Sequence, residues 1–328
     1  MKIALDAMGG DHAPKEIVLG ALEAAPHLHH SVLLVGNPEK IMPFLPAHCP
    51  ANISIHPAME EVGMEEKPLE ALRRKKDSSL SVGVELVQKG EAEVFVSAGN
   101  TGAASAASQL KWRQMPGFHR AAIASELPNY HGNFLLLDAG ASPDVDPEQL
   151  VEFASMGRIY AERVMGKQNP TVHLLNIGEE PGKGNGFAKQ SYELLSKYEW
   201  FEGNIEGKGM YSQPCDVVVC DAFVGNIVLK TSEGVAELIM KLVKEQVPTG
   251  SLARLPYAPL RKVFAPLQKR MDYAEVGGSP LLGLNHLCII CHGRSNAKAI
   301  KNALLLAQRA IDHNLMETLK DSVHNEPA

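Results

Sequence analysis

The 328-residue chain lacks an excess of positive charge and lacks any long apolar run. Lysine and arginine total 32 against 38 aspartates and glutamates, so the formal net charge is −6. This balance argues against general affinity for nucleic acid, which depends on excess positive charge. No stretch approaches the ~20 consecutive apolar residues that a membrane-spanning helix needs. We therefore expect neither a nucleic-acid-binding protein nor a membrane-spanning protein.

A secretory signal is also missing from the first residues. Only three apolar residues lie between Lys2 and Asp6, too few for the apolar core of a signal peptide. We therefore expect a cytoplasmic protein. Its five cysteines, an odd number in a reducing compartment, are expected to be small apolar fillers rather than disulfide partners.

One pair of cysteines matches a known pattern, because Cys288, Cys291 and His292 form the sequence C-x-x-C-H of haem attachment and of some redox pairs. The apolar residues around the pair predict a buried strand instead. Residues three apart on a strand point to opposite faces, so the two sulfur atoms would diverge. We interpret both cysteines as structural and expect no cofactor.

What the sequence does contain is a regular alternation of predicted strands and helices from end to end. Hydrophobic residues make up 45% of the chain and charged residues 21%, enough for a sizeable packed core. Such alternation predicts an α/β protein with a mostly parallel sheet covered by helices on both faces, in three α/β/α layers. No internal linker is visible, so we expect one domain over residues 1–328.

The chain is expected to be organised around residues 94–103, which predict a strand, a turn and a helix. Residues 94–96 are apolar and predict a buried parallel strand. A glycine turn and an alanine-rich helix follow, and Asn100 or Thr101 can cap that helix. The backbone N–H groups at such a helix start suit an anion, phosphate above all. An ordinary β-to-α turn is the alternative.

A second candidate turn follows the first predicted strand, Lys2–Asp6. Asp6, Asp11 and His12 would lie together at the carboxyl end of this strand, where open α/β sheets bind ligands. Two glycines between them permit close backbone approach. The pattern is not the dinucleotide fingerprint G-x-G-x-x-G. For His12, a role as a turn or cap residue is the alternative.

Residues 6–14, with the sequence DAMGGDHAP, resemble the opening signature of the phosphate acyltransferases of the PlsX type. Residues 73–79, the loop around Lys183 and residues 221–226 are similar to further segments of that family. The resemblance covers nearly the whole chain except its C-terminal residues. It implies an α/β/α body related in fold to the isocitrate and isopropylmalate dehydrogenases and to the phosphotransacetylases, and it implies a homodimer.

The loop around Lys183 is not a P-loop, although a lysine lies among glycines there. The P-loop needs four residues between its glycines and a hydroxyl residue after the lysine. Gly178 and Gly182 are separated by three residues, and Gly184 follows the lysine. Nucleotide hydrolysis is therefore not expected. A lysine in a glycine-rich turn can still meet phosphate as a point charge.

Candidate site residues follow from these turns and from the resemblance. His12 is a candidate base or phosphate orienter, and Lys183 is a candidate catalytic contact to phosphate. Asn226 is placed in the active-site cleft by the resemblance and is expected to cap a helix over residues 227–247. No metal ligand is assigned. The positions expected to bind phosphate or substrate are Asp6, Gly9, Gly10, Asp11, Lys75, Gly99, Asn100, Thr101, Gly102, Asp138, Asn185, Asp221, Gly225 and His292.

Two cationic segments are candidates for contact with an acidic partner. Residues 73–76 are four consecutive cations, for which a solvated helix face is the alternative. Residues 260–271 place apolar side chains on one helical face, which suits a membrane surface, a dimer contact or ordinary core packing. We expect residues 248–273 to protrude as a helical segment. The cations expected to contact a partner or a membrane are Arg261, Lys262, Lys269 and Arg270.

The resemblance implies transfer of a fatty acyl group from acyl-acyl carrier protein to inorganic phosphate, giving acyl phosphate for bacterial phospholipid synthesis. Because the sequence has no G-x-S-x-G motif, we expect phosphate to attack the thioester directly. The implied partners are acyl carrier protein, phosphate, a second copy of the chain and, peripherally, the inner face of the membrane with its glycerol-phosphate acyltransferase. Two alternatives stay open: an NAD-dependent decarboxylating dehydrogenase of related fold, and a non-catalytic scaffold for acyl carrier protein.

Overall fold

The computed structural model describes residues 1–245 and 273–322. Its strands lie in two sheets, which follow one another along the chain except that the last two strands return to the first sheet. The strands are β1 (Lys2–Asp6), β2 (Ser31–Gly36), β3 (Ile53–Pro57), β4 (Val94–Ser97), β5 (Ala122–Ile123), β6 (Ser125–Asn129), β7 (Gly132–Leu137), β8 (Val172–Asn176), β9 (Phe201–Glu206), β10 (Val217–Val219), β11 (Ser279–Leu282) and β12 (Leu287–Ile290).

Helices connect most of these strands, as a mostly parallel sheet requires. They are α1 (Lys15–Ala24), α2 (Pro38–Ile41), α3 (Pro68–Arg74), α4 (Ser79–Gln88), α5 (Thr101–Trp112), α6 (Pro147–Arg163), α7 (Gly186–Leu195), α8 (Gly209–Ser212), α9 (Ala222–Glu245), α10 (Ala297–Asp312) and α11 (Leu315–Ser322). Among the described residues, no helix combines the length and the apolar character that crossing a bilayer demands.

The predicted α/β class and mostly parallel pairing are confirmed, with the strands divided between two sheets. The first sheet has the order β3-β2-β1-β4-β12-β11-β5. The first five strands in this order, β3, β2, β1, β4 and β12, are parallel to one another. The second sheet has the order β6-β7-β10-β8-β9, in which only the β6–β7 pair is antiparallel. Only Ala124 separates β5 from β6, so adjacent edges of the two sheets are joined through the chain.

The core lies on both faces of the first sheet, because its central strands are apolar throughout. On β1, Ile3 and Leu5 enter one buried hydrophobic cluster, while Ala4 between them enters the other. Successive side chains of a strand point to opposite faces, so both clusters are needed to cover it. Helices α1 and α10 pack into the first cluster, and helices α4 and α5 pack into the second.

The cysteines of the C-x-x-C-H pattern behave as predicted. Cys288 and Cys291 are buried in different hydrophobic clusters, on opposite faces of the sheet, and neither forms a disulfide. Cys215 and Cys220 are buried as well. The expectation that all five cysteines are buried fillers is wrong for Cys49, which is exposed in the loop before β3.

The predicted start of the long helix after β10 is also wrong. Helix α9 begins at Ala222, four residues before the predicted cap Asn226, which therefore lies inside the helix. The backbone N–H of Val224 donates to the Asp221 carboxylate at 2.9 Å, so Asp221 provides the capping oxygen instead. The predicted protrusion at residues 248–273, with Arg261, Lys262, Lys269 and Arg270, lies outside the described residues apart from its last position.

Packing between α4 and β4 leads to a prediction about stability. A methyl group at Gly83 of α4 would lie 2.3 Å from Cε2 of the buried Phe95 ring. We expect Gly83→Ala to lower the free energy of unfolding by about 1–3 kcal/mol, because an overpacked core must shift its side chains. Gly234→Ala in α9 is the matched control, since its methyl group meets no described atom within 4 Å.

The control variant should be unchanged or more stable by up to about 1 kcal/mol, because alanine favours helix over glycine. Urea denaturation of both variants, followed by circular dichroism, checks the pair. Equal midpoints for Gly83→Ala and the wild type would show that the contact between α4 and β4 is looser than described.

Candidate active site

Three glycine turns meet at one edge of the first sheet, because β1, β4 and β12 are parallel neighbours and end there together. The backbone N–H of Asp11, after β1, donates to the carbonyl oxygen of Gly293, after β12, at 2.8 Å. A Cβ atom on Gly9 would lie 2.8 Å from the backbone nitrogen of Gly99, after β4. Only glycine allows the turns to approach this closely.

The Asp6 carboxylate joins two of these turns, the one after β1 and the one after β4, by hydrogen bonds. It accepts hydrogen bonds from the Ser97 hydroxyl at 2.7 Å and from the Met8 backbone N–H at 3.2 Å. Asp6 is buried, and burial raises the pKa of its carboxyl group, while hydrogen bonds from Ser79 and Ser97 oppose that rise. The structure thus gives Asp6 a positioning role in the turns that precede the helix starts.

Asn100 caps α5, as one of the two sequence alternatives predicted. Its Oδ1 accepts from the Ala103 backbone N–H at 3.0 Å. Its Nδ2 donates to the carbonyl oxygens of Met64 at 2.9 Å and Glu66 at 3.0 Å, so the amide is fully engaged. The groups at this helix start that can meet an anion are therefore the backbone N–H groups of the first helical residues, Thr101 among them.

Lys75 stabilises the same loop, residues 61–66, to which Asn100 donates its hydrogen bonds. Its Nζ donates to the carbonyl oxygen of Glu61 at 2.8 Å and forms an ion pair with the Glu66 carboxylate. The hydrogen bond from Lys75 lowers the pKa of Glu66. In this arrangement Lys75 braces the wall beside the α5 start, and its predicted contact with phosphate stays a prediction.

A cavity of about 1070 Å³ opens beside the glycine turns. It extends from Thr101 and His292 on the first sheet to Gly140 and helix α9 on the second. Three of the predicted site residues line it, namely Thr101, Asn226 and His292. Much of the remaining wall is apolar and includes Ile123, Leu127, Met210, Ile227, Val228, Leu229, Val235 and Ala236.

His292 is held in one tautomer by its own turn. The Arg294 backbone N–H donates to His292 Nδ1 at 3.1 Å, which assigns the ring proton to Nε2 when the ring is neutral. Burial and the nearby positive charge of Lys230 lower the pKa of His292, so the ring is neutral near pH 7. The cavity wall thus includes a neutral imidazole that can donate from Nε2.

Sequence reasoning missed the charged residues that α9 contributes beside Asn226. Lys230 and Glu233 also line the cavity and form an ion pair at 2.8 Å. With Asn226 they follow an i, i+4, i+7 spacing, which places them on one helix face. That spacing was readable from the sequence, but the expected helix start at residue 227 separated Asn226 from it.

Asp138, at the end of β7, anchors the turn on the opposite side of the cavity. Its carboxylate accepts four backbone N–H groups at 2.7–2.9 Å, donated by Ile123, Gly140, Ala141 and Ser142. Burial raises the pKa of Asp138, and these backbone donors oppose that rise. Because Ile123 belongs to the first sheet, the carboxylate also ties the two sheets together.

Gly225 is required by contact with the same turn, since a Cβ atom there would lie 1.9 Å from the Asp138 carbonyl oxygen. This contact brings α9 against the end of β7 and carries Asn226 to the cavity. The Oδ1 atom of Asn226 lies 4.0 Å from the position of a Cβ atom on Gly140. Gly225 therefore acts through the placement of α9.

The remaining predicted residues lie off the described cavity wall. Asn185 caps α7 by accepting from the Ala188 backbone N–H at 2.8 Å. Lys183 is exposed, and its Nζ lies 3.9 Å from a Glu180 carboxylate oxygen. His12 and Asp11 are exposed in the turn after β1. Roles of Lys183 and His12 in catalysis stay predictions.

The chain is similar to known proteins over nearly its whole length. Residues 1–318 match the family described as "Fatty acid synthesis protein". A phosphate acyltransferase from Desulfitobacterium hafniense (strain DSM 10664 / DCB-2) is 50% identical over 323 residues, covering 98% of this chain and 97% of the relative. A phosphate acyltransferase from Heliobacterium modesticaldum is 47% identical over 327 residues, covering 98% of both chains.

Among solved structures, the chain is similar to a phosphotransacetylase from Streptococcus pyogenes. The TM-score is 0.61 at 16% sequence identity, and the match covers 95% of this chain and 94% of the other. At this identity the likeness concerns the fold alone. It confirms the relation in fold to the phosphotransacetylases that the sequence resemblance implied.

The hydrogen-bonding of Asp138 leads to a second prediction about stability. We expect Asp138→Asn to lower the free energy of unfolding by about 1–3 kcal/mol, because the new amide N–H₂ group would face a buried backbone donor. Asp144→Asn is the control, since Asp144 is exposed in the same loop. Differential scanning calorimetry at pH 7 compares the two variants. An unchanged melting temperature for Asp138→Asn would contradict the anchoring role.

Proposed function

The chain belongs to the fatty acid synthesis protein family, and from that membership we propose that its cavity receives a fatty acyl chain donated by acyl carrier protein. The protein is an acyltransferase that transfers a fatty acyl group to inorganic phosphate, giving acyl phosphate for phospholipid synthesis. The dehydrogenase and scaffold alternatives are not favoured by its relatives.

The observation that carries the proposal is the size and apolar character of the cavity. At about 1070 Å³ it lies just above the usual range for small-molecule sites, roughly 300–1,000 Å³. Its apolar lining, most of which comes from α9, suits a hydrocarbon chain, whose burial is favourable at about 0.8 kcal/mol per CH₂ group. Its polar end, at Thr101 and His292, suits the reacting groups.

In the proposed reaction, phosphate is held by backbone N–H groups at the start of α5, beside Thr101. A phosphate oxygen forms a bond to the thioester carbonyl carbon, and the carbon–sulfur bond breaks. The products are acyl phosphate and the carrier thiolate, which then takes a proton from solvent. A thiol has an ordinary pKa of about 8.5, so its departure needs little acid assistance.

Donors for the developing oxyanion come from the polar end of the cavity. The neutral His292 ring donates from Nε2, and the Asn226 amide faces the same space from α9. Preorganised donors of this kind stabilise the tetrahedral transition state, because they need no rearrangement during the reaction. His12 and Lys183 are proposed to orient phosphate from the turns outside the cavity wall.

Contact with partners forms a further part of the proposal. We propose a homodimer with peripheral contact to the inner face of the membrane, near its glycerol-phosphate acyltransferase. The exposed apolar side chains of α9 that lie off the cavity wall support such contacts, and they include Phe223, Leu238 and Leu242. The chain's own net negative charge means that an acidic carrier protein needs a local basic surface for docking.

A hydroxamate assay for acyl phosphate tests the proposed function directly. The full chain, supplied with a long-chain acyl-acyl carrier protein and phosphate, should form product, and Ala236→Trp should shift its preference towards shorter chains by filling the cavity wall. Lys241→Trp is the matched control, because Lys241 is exposed on the same helix and is not among the described lining residues. Absence of phosphate-dependent product from the wild type would refute the function.

Replacing His292 tests the oxyanion donor. We expect His292→Phe, which keeps the ring and removes its N–H group, to lower kcat by about 10²–10³-fold. The KM for the acyl donor should change much less, because the lost hydrogen bond forms mainly in the transition state. Steady-state kinetics with the thermal stability of the variant as a folding control separates the two parameters. If His292→Phe keeps the wild-type kcat, His292 does not donate to the oxyanion.

A further inference from the structure

A second cluster of polar side chains lies at the far end of α10 from the cavity. Helix α10 starts directly after the turn containing His292, and its 16 residues extend about 24 Å at 1.5 Å per residue. Asp312 is its last residue. His29 and His30 directly precede β2, at the end of that strand opposite the glycine turns. The cluster is therefore separate from the proposed reaction site.

Both imidazole rings aim the same nitrogen at one carboxylate oxygen. His29 Nε2 lies 3.0 Å from Asp312 Oδ1, and His30 Nε2 lies 2.9 Å from the same atom. Within residues 1–245 and 273–322, this is the group of three metal-ligating side chains whose ligand atoms all lie within 4.8 Å of one another. The arrangement brings two nitrogen ligands and one oxygen ligand to a common point.

The cluster is held in place before any ion binds. His30 is 7% exposed, so its ring is fixed by packing. The His29 backbone N–H donates to Gln308 Oε1 at 2.9 Å, and Gln308 Nε2 donates to the His27 carbonyl oxygen at 3.3 Å. Both bonds join the loop before β2 to the last turns of α10. A metal would therefore meet ligands that are already ordered.

We propose that His29, His30 and Asp312 bind a divalent first-row transition metal ion of the Zn²⁺ type. Two imidazoles and one carboxylate suit such ions, whereas Mg²⁺ and Ca²⁺ prefer oxygen ligands alone. Tetrahedral ligands about 2.0 Å from Zn²⁺ are roughly 3.3 Å apart, close to the nitrogen–oxygen separations in the cluster. On binding, each ring presents its Nε2 lone pair and keeps its proton on Nδ1.

The ion would link the entry of β2 to the end of α10. Because it binds the folded chain and the ligands are far apart in sequence, it would stabilise the fold by mass action. A water molecule would complete a four-coordinate site, since three ligands come from the chain. This role is structural and needs nothing from the cavity, so it stands independently of the acyl transfer.

Titration of the full, untagged chain with Zn²⁺ in a calorimeter tests the site. We expect one ion per chain and a rise in melting temperature that excess Mg²⁺ does not prevent. Asp312→Asn, which keeps the side-chain shape, and His30→Gln should each weaken binding at least tenfold and abolish the thermal shift. Cys49→Ser is a control for the exposed thiol, and His27→Ala and His313→Ala are controls for the exposed histidines nearest the cluster in sequence. All three should bind as the wild type does.

His29→Ala tests the site without disturbing the core, because the His29 side chain is 62% exposed. It should lose affinity to a similar extent while keeping its melting temperature without zinc. The absence of one-site binding by the wild type would overturn the proposal, and so would wild-type affinity in Asp312→Asn and His29→Ala. The cluster would then be a hydrogen-bonded group alone.

Discussion

The carboxyl edge of the first sheet depends on backbone segments that lie closer together than side chains allow. Three neighbouring parallel strands end there, and the turns that follow share one small volume. Gly9 removes a Cβ atom that would collide with the turn after β4, and the buried Asp6 carboxylate joins the turns by accepting from Ser97. Glycine adds to the entropy cost of folding. That cost is offset by hydrogen bonds that fix where α5 begins and where the polar end of the cavity lies.

Much of this fold could be predicted because the strands are short apolar runs bounded by turn residues. The bounds of β1 are as predicted, and Asn100 is the one of the two predicted candidates that caps α5. The division into two sheets could not be predicted, since a single residue, Ala124, separates the two edge strands and carries no signal of its own. The start of α9 was misplaced because Asp221 and Asn226 are both good caps, and only the contact of Gly225 with another strand decides between them.

The site itself was harder to predict than the fold, for a reason that concerns carboxylates. Asp6 ends β1 and Asp138 follows β7, each at a carboxyl strand end where ligands commonly bind, yet both accept hydrogen bonds from this chain's own backbone or side chains. A sequence does not show whether a carboxylate at such a position faces a ligand or the backbone. Likewise the tautomer of His292 is set by the backbone N–H of Arg294, a group that every residue but proline has.

The Asn100 amide donates hydrogen bonds to its neighbouring loop, at the carbonyl oxygens of Met64 and Glu66. Carbonyl oxygens are common to all amino acids, so this contact does not depend on which side chains the loop carries. Substitution of Met64 would therefore leave these acceptors at the α5 start in place. Asn100 has no such freedom, because it needs a donor and an acceptor on one short side chain. The contact therefore constrains the side chain of only one of its two partners.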